Sequence, residues 1–519
     1  MLLSCSSGIK PVSGHSNIEI RKATPGLYPT RIQINGDVQQ NAQETITRIR
    51  AMFNNIQLSV SPYDTAWVAM APSFDSKHMP CFPQCLNWII ENQQASGSWS
   101  LDPSHQLLVK ESLSSTLACV LALHKWNAGE LIVNKGLDFL LSNSWAIEDK
   151  NQFSPVGFDI IFPGMIQYAK DIGLNLPLDS SSVDVILQKR DREVERALNI
   201  GSERTKRDLA YVSEGLSGLI DWKDVMKYQR SNGSLFNSPA TTAAALTHHS
   251  DDKSFMYLQS LLDRYGNAAP TIFPLDKYIG LSLVETLVRL GLDRYFKTEI
   301  KGILDETYRC WLQGSDEIFL DITCCAMGFR LLRMNGYGVS SDSLSQFCTQ
   351  EQCFNFRSTR VIDTETVLEL YRASQTIINQ SDPVLENIYS WTHSFLNQVV
   401  ADGACHEKKL NKEVEYALKY SIHASLDRLE TKKNIELYEP DKVGLLKASY
   451  RFFNADQNND MLALSVQDFN MCQAKLREEL EELELWAKEY KLDQIKYSRL
   501  RVSLAYFTIA SVLFCPVLS

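Results

Sequence analysis

From about residue 44 onward, apolar side chains recur three and four residues apart, and runs of alternating polar and apolar residues are scarce. An α-helix turns every 3.6 residues, so this spacing gathers apolar groups on one stripe, whereas a half-buried strand needs a period of two. In residues 45–58, Ile46, Ile49, Met52, Phe53 and Ile56 share one such face. Residues 112–123, 279–290 and 320–332 repeat the pattern, and Gly336 is placed to stop the last of these helices. Short turn clusters at 92–98, 231–234 and 335–341 separate the periodic stretches. Many helices joined by short turns predict an all-α protein of bundles or α-barrels. A length of 519 residues suggests two to four domains.

One pattern occurs twice. Gln93-x-x-x-Gly97-Ser98-Trp99 returns in looser form as Gln229-x-x-x-Gly233-Ser234-x-Phe236. Each copy offers a glutamine, a turn glycine and an aromatic ring able to pack on a neighbouring helix end, as stacked helical hairpins do. Residues 413–430 and 467–500 are rich in charged helix formers. In the second stretch Leu476, Leu480, Leu483, Trp486 and Tyr490 form an apolar stripe of about two heptads, short for a coiled coil, so the helix is expected to pack on its own domain. Residues 502–518 are nearly uncharged and strongly apolar. Seventeen residues sit at the short edge of a transmembrane helix, so a buried bundle helix is expected there rather than a membrane span. Such a helix needs neighbours to cover it. The sequence stops at Ser519, so it reads as cut off within a domain, with self-association through an exposed C-terminal helix as the expected result.

Charge and cysteine usage narrow the function classes. Lys and Arg total 52 against 62 Asp and Glu, a net charge of −10, which argues against a nucleic-acid binder. Twelve cysteines without regular spacing read as reduced thiols in an intracellular compartment. His78, Cys81 and Cys85 are close in sequence, but no second Cys/His pair at zinc spacing follows them. The first 18 residues contain no acidic residue and include Ser4, Ser6, Ser7, Ser13 and Ser16, the composition of an organelle transit peptide. Residues 1–44 are therefore assigned to a transit segment and its lead, with plastid localisation expected.

Standard catalytic patterns are missing: no phosphate-binding glycine loop, no nucleophile elbow and no His-Glu-x-x-His. Asp251-Asp252, Asp305-Glu306 and Asp316-Glu317 read as solvated helix ends, and His248-His249 as a surface pair. Residues 61–69, Ser-Pro-Tyr-Asp-Thr-Ala-Trp-Val-Ala, read locally as a turn and helix start, with Asp64 a possible N-cap or buried hydrogen-bond partner. The same string closely resembles a hallmark of plant diterpene synthases. Residues 81–88, 113–120, 157–164, 237–240, 304–311 and 492–497 extend the likeness to the kaurene-synthase-like group over about residues 45–519.

The resemblance implies an all-α γβα architecture in which a γ α-barrel is inserted into a β α-barrel and a class I α bundle follows. On that map β comprises 45–80 with 285–405, γ is 81–284, and 406–519 begins the α domain. The implied activity is that of a carbon–oxygen lyase of diterpenoid and gibberellin biosynthesis, converting ent-copalyl diphosphate to a kaurene-type olefin. Class II members instead protonate an alkene with Asp-x-Asp-Asp, the middle Asp being the acid. Here that position reads Asp321-Ile322-Thr323-Cys324, so Thr323 stands in place of the acid. Class I members hold Mg²⁺ and a prenyl diphosphate on an Asp-Asp-x-x-Asp motif and an Asn/Asp-x-x-Ser/Thr-x-x-x-Glu motif, and neither occurs in this sequence. The chain is therefore expected to have no identifiable catalytic, cofactor or metal residues, and to be inactive alone. A non-catalytic γβ scaffold that binds a partner is the other reading. Removing residues from about 406 onward is expected to leave the γβ pair folded and more soluble.

Overall fold

The computed structural model describes residues 36–490 except 55, 75, 77, 104, 320, 350–363, 378–380, 404–407, 423–426 and 441, together with Arg501, Leu504 and Ala505. The transit-type composition, the 492–497 string and nearly all of the apolar 502–518 stretch lie outside the described residues. The chain separates into two units, 1–44 and 45–519.

Within the second unit two helical assemblies follow one another. The first contains α2 (Pro62–Met70), α3 (Pro83–Glu91), α4 (Val109–Lys125), α5 (Glu130–Asn143), α6 (Phe158–Asp171), α7 (Ser180–Ile200), α8 (Glu203–Tyr211), α9 (Trp222–Met226), α10 (Pro239–His248) and α11 (Asp252–Tyr265). The second contains α12 (Asp276–Arg289), α13 (Lys297–Leu312), α14 (Asp316–Phe319), α15 (Ile322–Met334), α16 (Thr364–Ser374), α17 (Pro383–Asp402), α18 (Lys408–Lys419) and α19 (Asp427–Leu437). It is joined by the C-terminal end of α1 (Gly36–Met52), whose Arg50 pairs with Glu299, while Phe53 just beyond it packs on Phe296 at 5.9 Å. A long helix, α20 (Ala455–Glu489), packs on α19.

The first core is organised around α2, every residue of which is buried. Its start is set locally: Ser61 caps the helix by accepting from the Asp64 amide at 3.1 Å, and Pro62 supplies the φ of the first turn. A helix buried all round must be covered on all sides, and α2 is covered by α3, α4 and α10. Tyr63 to Ala71 therefore share one core with residues 82–269. In the second assembly α18 packs on α16 and α17, and α19 packs on α12. The charged stretch 413–430 contains the end of α18 and the start of α19.

The repeated Gln/Gly/aromatic pattern becomes one repeated geometry. The Gln93 carboxamide donates to the Gly97 and Ile132 carbonyls, both at 2.9 Å, tying its turn to α5. Gln229 donates to the Gly233 carbonyl at 3.1 Å and to Asp251, the N-cap of α11, at 2.6 Å. Gly97 and Gly233 have φ of +88° and +87°, and a Cβ on either would strike the backbone carbonyl of Lys135 or Lys253. Trp99 is fully buried and donates to the Ile89 carbonyl at 2.8 Å. The stripe on α20 is less covered than the sequence suggested: Leu483 is buried, whereas Trp486 and Tyr490 are 47% and 61% exposed.

Two short antiparallel strands, β1 (Gly444–Leu445) and β2 (Ser449–Tyr450), form a hairpin between α19 and α20. Its tip enters the first core, where Ala448 is fully buried, while Leu446 and Tyr450 pack with Leu58 and Ile279. This changes the expectation for a shortened chain. Ending the protein at residue 405 removes part of the first core and uncovers Leu58 and Ile279. Such a chain is expected to melt at lower temperature or without a sharp transition, and to aggregate in sedimentation. A melting temperature equal to or above that of the full chain would show the hairpin to be dispensable. Gly97→Ala should cost about 1–3 kcal/mol from the positive φ alone, more with the carbonyl clash, as read by chemical denaturation. Gly218→Ala, at φ +79° with open space around it, should cost less.

Candidate active site

Residues 321–324 form the start of α15. Asp321 is the N-cap, accepting from the Cys324 amide at 2.7 Å, and so is occupied as a helix cap. Thr323 and Cys324 are buried. The Thr323 hydroxyl lies 3.0 Å from that of Thr366 on α16. Thr323 also lines a cleft of about 240 Å³, walled by α12, α15, α16, α18 and α19 and by Lys442 and Phe452 on either side of the hairpin.

The cleft is lined by charge, and the charges are matched. Arg330, buried on α15, reaches Glu369 at 2.7 Å and Glu285 at 3.0 Å. Arg372 reaches Glu413 at 3.0 Å and Glu369 at 3.7 Å, and Arg289 reaches Glu413 at 2.8 Å. At the rim, Glu439 pairs with Lys409 at 2.7 Å and Glu365 with Lys442 at 3.2 Å. Burial alone would raise the Glu413 carboxyl, but Arg289 and Arg372 outweigh it and hold it well below the usual carboxylate range. Burial is similarly overcome at Glu285 by Arg330, Arg289 and Arg372. Each carboxylate lining the cleft therefore has a cationic partner, and two are held in the ionised form. Ionised carboxylates accept protons, and a threonine hydroxyl is far too weak an acid to protonate an alkene.

A second polar cluster lies in the first core. The Asp64 carboxylate accepts from Ser61 Oγ at 2.7 Å and from the Ala240 amide at 3.2 Å. Glu214 accepts from Tyr63 Oη at 3.0 Å and pairs with Lys447 at 2.6 Å. Glu111 accepts from Ser115 at 2.8 Å and from the Ser449 amide at 3.4 Å. Burial pushes Asp64 and Glu111 each up to about 7, and it lowers Lys447 despite the neighbouring Glu214. Sequence reasoning allowed Asp64 as a cap or a buried partner, and it is the buried partner. It missed Glu111, Glu214 and Lys447.

The remaining sequence candidates do not converge. His78 is exposed, Cys81 half-buried and Cys85 buried, and among the described residues no three His, Cys, Asp or Glu side chains are grouped to hold a metal. Asp305 pairs with Lys301 and accepts from Tyr337, while Glu306 pairs with Lys277, all within or beside α13. His248 stacks on Trp222 at 4.7 Å. The side chains of Asp316 and Glu317 lie outside the described residues. Among the described residues no helix is long and apolar enough to cross a membrane.

Residues 221–418 match the family described as terpene synthase, N-terminal domain. The chain is 51% identical over its whole length to the ent-trachylobane synthase KSL2, chloroplastic, of Ricinus communis, of which it covers 66%. It is 44% identical, again over its whole length, to the kaurene synthase like 2, chloroplastic, of Isodon rubescens, of which it covers 69%. The chain belongs to the plant diterpene synthase family. The fold agrees: abietadiene synthase from Abies grandis superimposes with a TM-score of 0.82 at 34% identity, over 92% of this chain and 65% of that one. The chain thus spans about two thirds of the length of these relatives. The family uses Mg²⁺, but the described residues do not fit that ion, because the cleft's carboxylates are already neutralised by arginine and lysine.

Both clusters have measurable consequences for stability. Arg330→Met leaves Glu285 and Glu369 buried with less compensation and should cost about 3–5 kcal/mol in chemical denaturation. Asp64 and Glu111 have folded values above their unfolded ones, about 4. The folded chain then binds more protons between about pH 4 and about pH 7, so stability falls as pH rises through that window and levels off above it. Glu285 and Glu413 act oppositely, losing their contribution as pH falls below the ordinary glutamate value. Denaturation midpoints across pH 5–8 should show the decline, and Asp64→Asn with Glu111→Gln should flatten it.

Proposed function

We propose that this chain supplies the two α-barrel domains of a class I, kaurene-synthase-like diterpene synthase located in plastids. The first core, residues 62–269 with the hairpin tip, corresponds in this reading to the γ domain. Residues 45–58 with 276–437 correspond to β, and the α domain begins in α20. The substrate class is a prenyl diphosphate, ent-copalyl diphosphate, and the product a kaurene-type olefin. The plastid assignment is supported by the serine-rich, acid-poor N-terminus and by relatives named chloroplastic.

The observation that carries the class I reading is Thr323. It occupies the place of the class II acid, its hydroxyl faces Thr366, and the surrounding carboxylates are paired. Protonation-initiated cyclisation therefore has no acid here. Ionisation of a diphosphate needs hard-cation ligands, and the sequence contains neither metal motif of class I members. The chain is inactive alone in this reading. Purified protein with Mg²⁺ should give no copalyl diphosphate from geranylgeranyl diphosphate and no olefin from ent-copalyl diphosphate, assayed by gas chromatography after dephosphorylation. Copalyl diphosphate above background would refute the loss of the acid, and olefin from ent-copalyl diphosphate would refute inactivity.

A further inference from the structure

The segment 442–452 touches both assemblies and the cleft at once. At its tip the Lys447 ammonium, 1% exposed, meets Glu214 at 2.6 Å, Thr241 Oγ1 at 2.5 Å and the Tyr211 carbonyl, and lies 4.1 Å from the centre of the Tyr211 ring. Beside it the Ser449 amide donates to Glu111, and the Val156 amide donates to the Leu446 carbonyl at 2.9 Å. At its base, the Arg451 amide donates to Ser59 Oγ at 2.9 Å, the Ser59 amide donates to the Arg451 carbonyl at 3.1 Å, and Arg451 pairs with Asp102 at 2.6 Å. Its two limbs, at Lys442 and Phe452, form part of the cleft wall that includes Thr323.

The chemistry of this contact is that of a latch. Its interior face mixes apolar packing by Leu446, Ala448 and Tyr450 with a buried ion pair, Lys447–Glu214, at the tip. Buried pairs contribute little net stability against an apolar substitute, but they penalise any seating that separates the charges. Polar capacity at the interface is also left over: Arg451 Nε is buried without a hydrogen-bond partner. Two two-residue strands make few hydrogen bonds of their own, and short hairpins are marginal by themselves. The segment is therefore positioned by its partners rather than by its own strand pairing.

We propose that residues 442–452 are a releasable latch, held in the first core by Lys447, which closes one side of the Thr323 cleft when seated and opens it without unfolding either helical assembly. This is independent of whether the chain catalyses a reaction.

Native-state hydrogen exchange on the full chain tests it. The amides of Val156, Leu446, Ser449 and Arg451 should exchange together, faster than those in the middle of α4 and α10. Lys447→Ala strands Glu214 in the seated state only, so those four amides should speed up on the order of a hundredfold while α4 and α10 change far less. Should Lys447→Ala fail to fold, Gly444→Ala provides the second variant, because a Cβ there strikes the Tyr450 ring and distorts the hairpin without touching Lys447. It should speed up the same set. Exchange of the four amides only at the rate of α4 and α10, in wild type and variant alike, would overturn the proposal.

Discussion

A lysine ammonium enclosed in a helical core fixes how this chain is put together. Lys447 and Glu214 are 1% and 0% exposed and lie 233 residues apart in sequence. Taking two charges out of water costs several kcal/mol per ion, and their attraction repays this only when the geometry is good and the remaining donors are used. Here Thr241 and the Tyr211 carbonyl take further ammonium protons, and Tyr63 donates to the carboxylate. Moving the hairpin would separate the pair, so its seating is unique. That seating carries Leu446 and Tyr450 onto Leu58 and Ile279, and the flanking Lys442 and Phe452 onto the cleft.

The cleft uses the same physics with a different result. Arg289, Arg330 and Arg372 alternate with Glu285, Glu369 and Glu413 across α12, α15, α16 and α18. The network ties α18 to the rest of the second assembly, and it keeps Glu285 and Glu413 ionised. A synthase cleft that worked by proton donation would need one carboxyl kept neutral. The only carboxylate of the degenerate motif, Asp321, caps α15. The fold of the diterpene synthase family is therefore present around a cleft whose carboxylates are all paired with cations.

Much of the fold was legible because it rests on local pattern. The three- and four-residue periodicity gave α4, α12 and α15 to within a few residues, and the Gln93 and Gln229 echoes matched in geometry as well as spelling. Domain boundaries were less legible, since α2 is too short to announce which core it joins and its partners α4 and α10 come much later in the chain. The pairing of Thr323 with Thr366, 43 residues on, had no signal in the sequence. Lys447 was the least legible. A lone lysine among Leu445, Leu446, Ala448 and Tyr450 reads as a solvated charge, and nothing nearby names Glu214 as its counter-ion. Its one available signal was the apolar company it keeps.

The most direct test of the buried pair is a double-mutant cycle of Lys447→Met and Glu214→Gln in the full chain, read by equilibrium denaturation. If the pair fixes the hairpin, each single variant strands one group and costs about 3–5 kcal/mol, and the double variant costs far less than their sum. Additive costs would show that the two residues act independently and that Lys447 does not hold the hairpin in the first core.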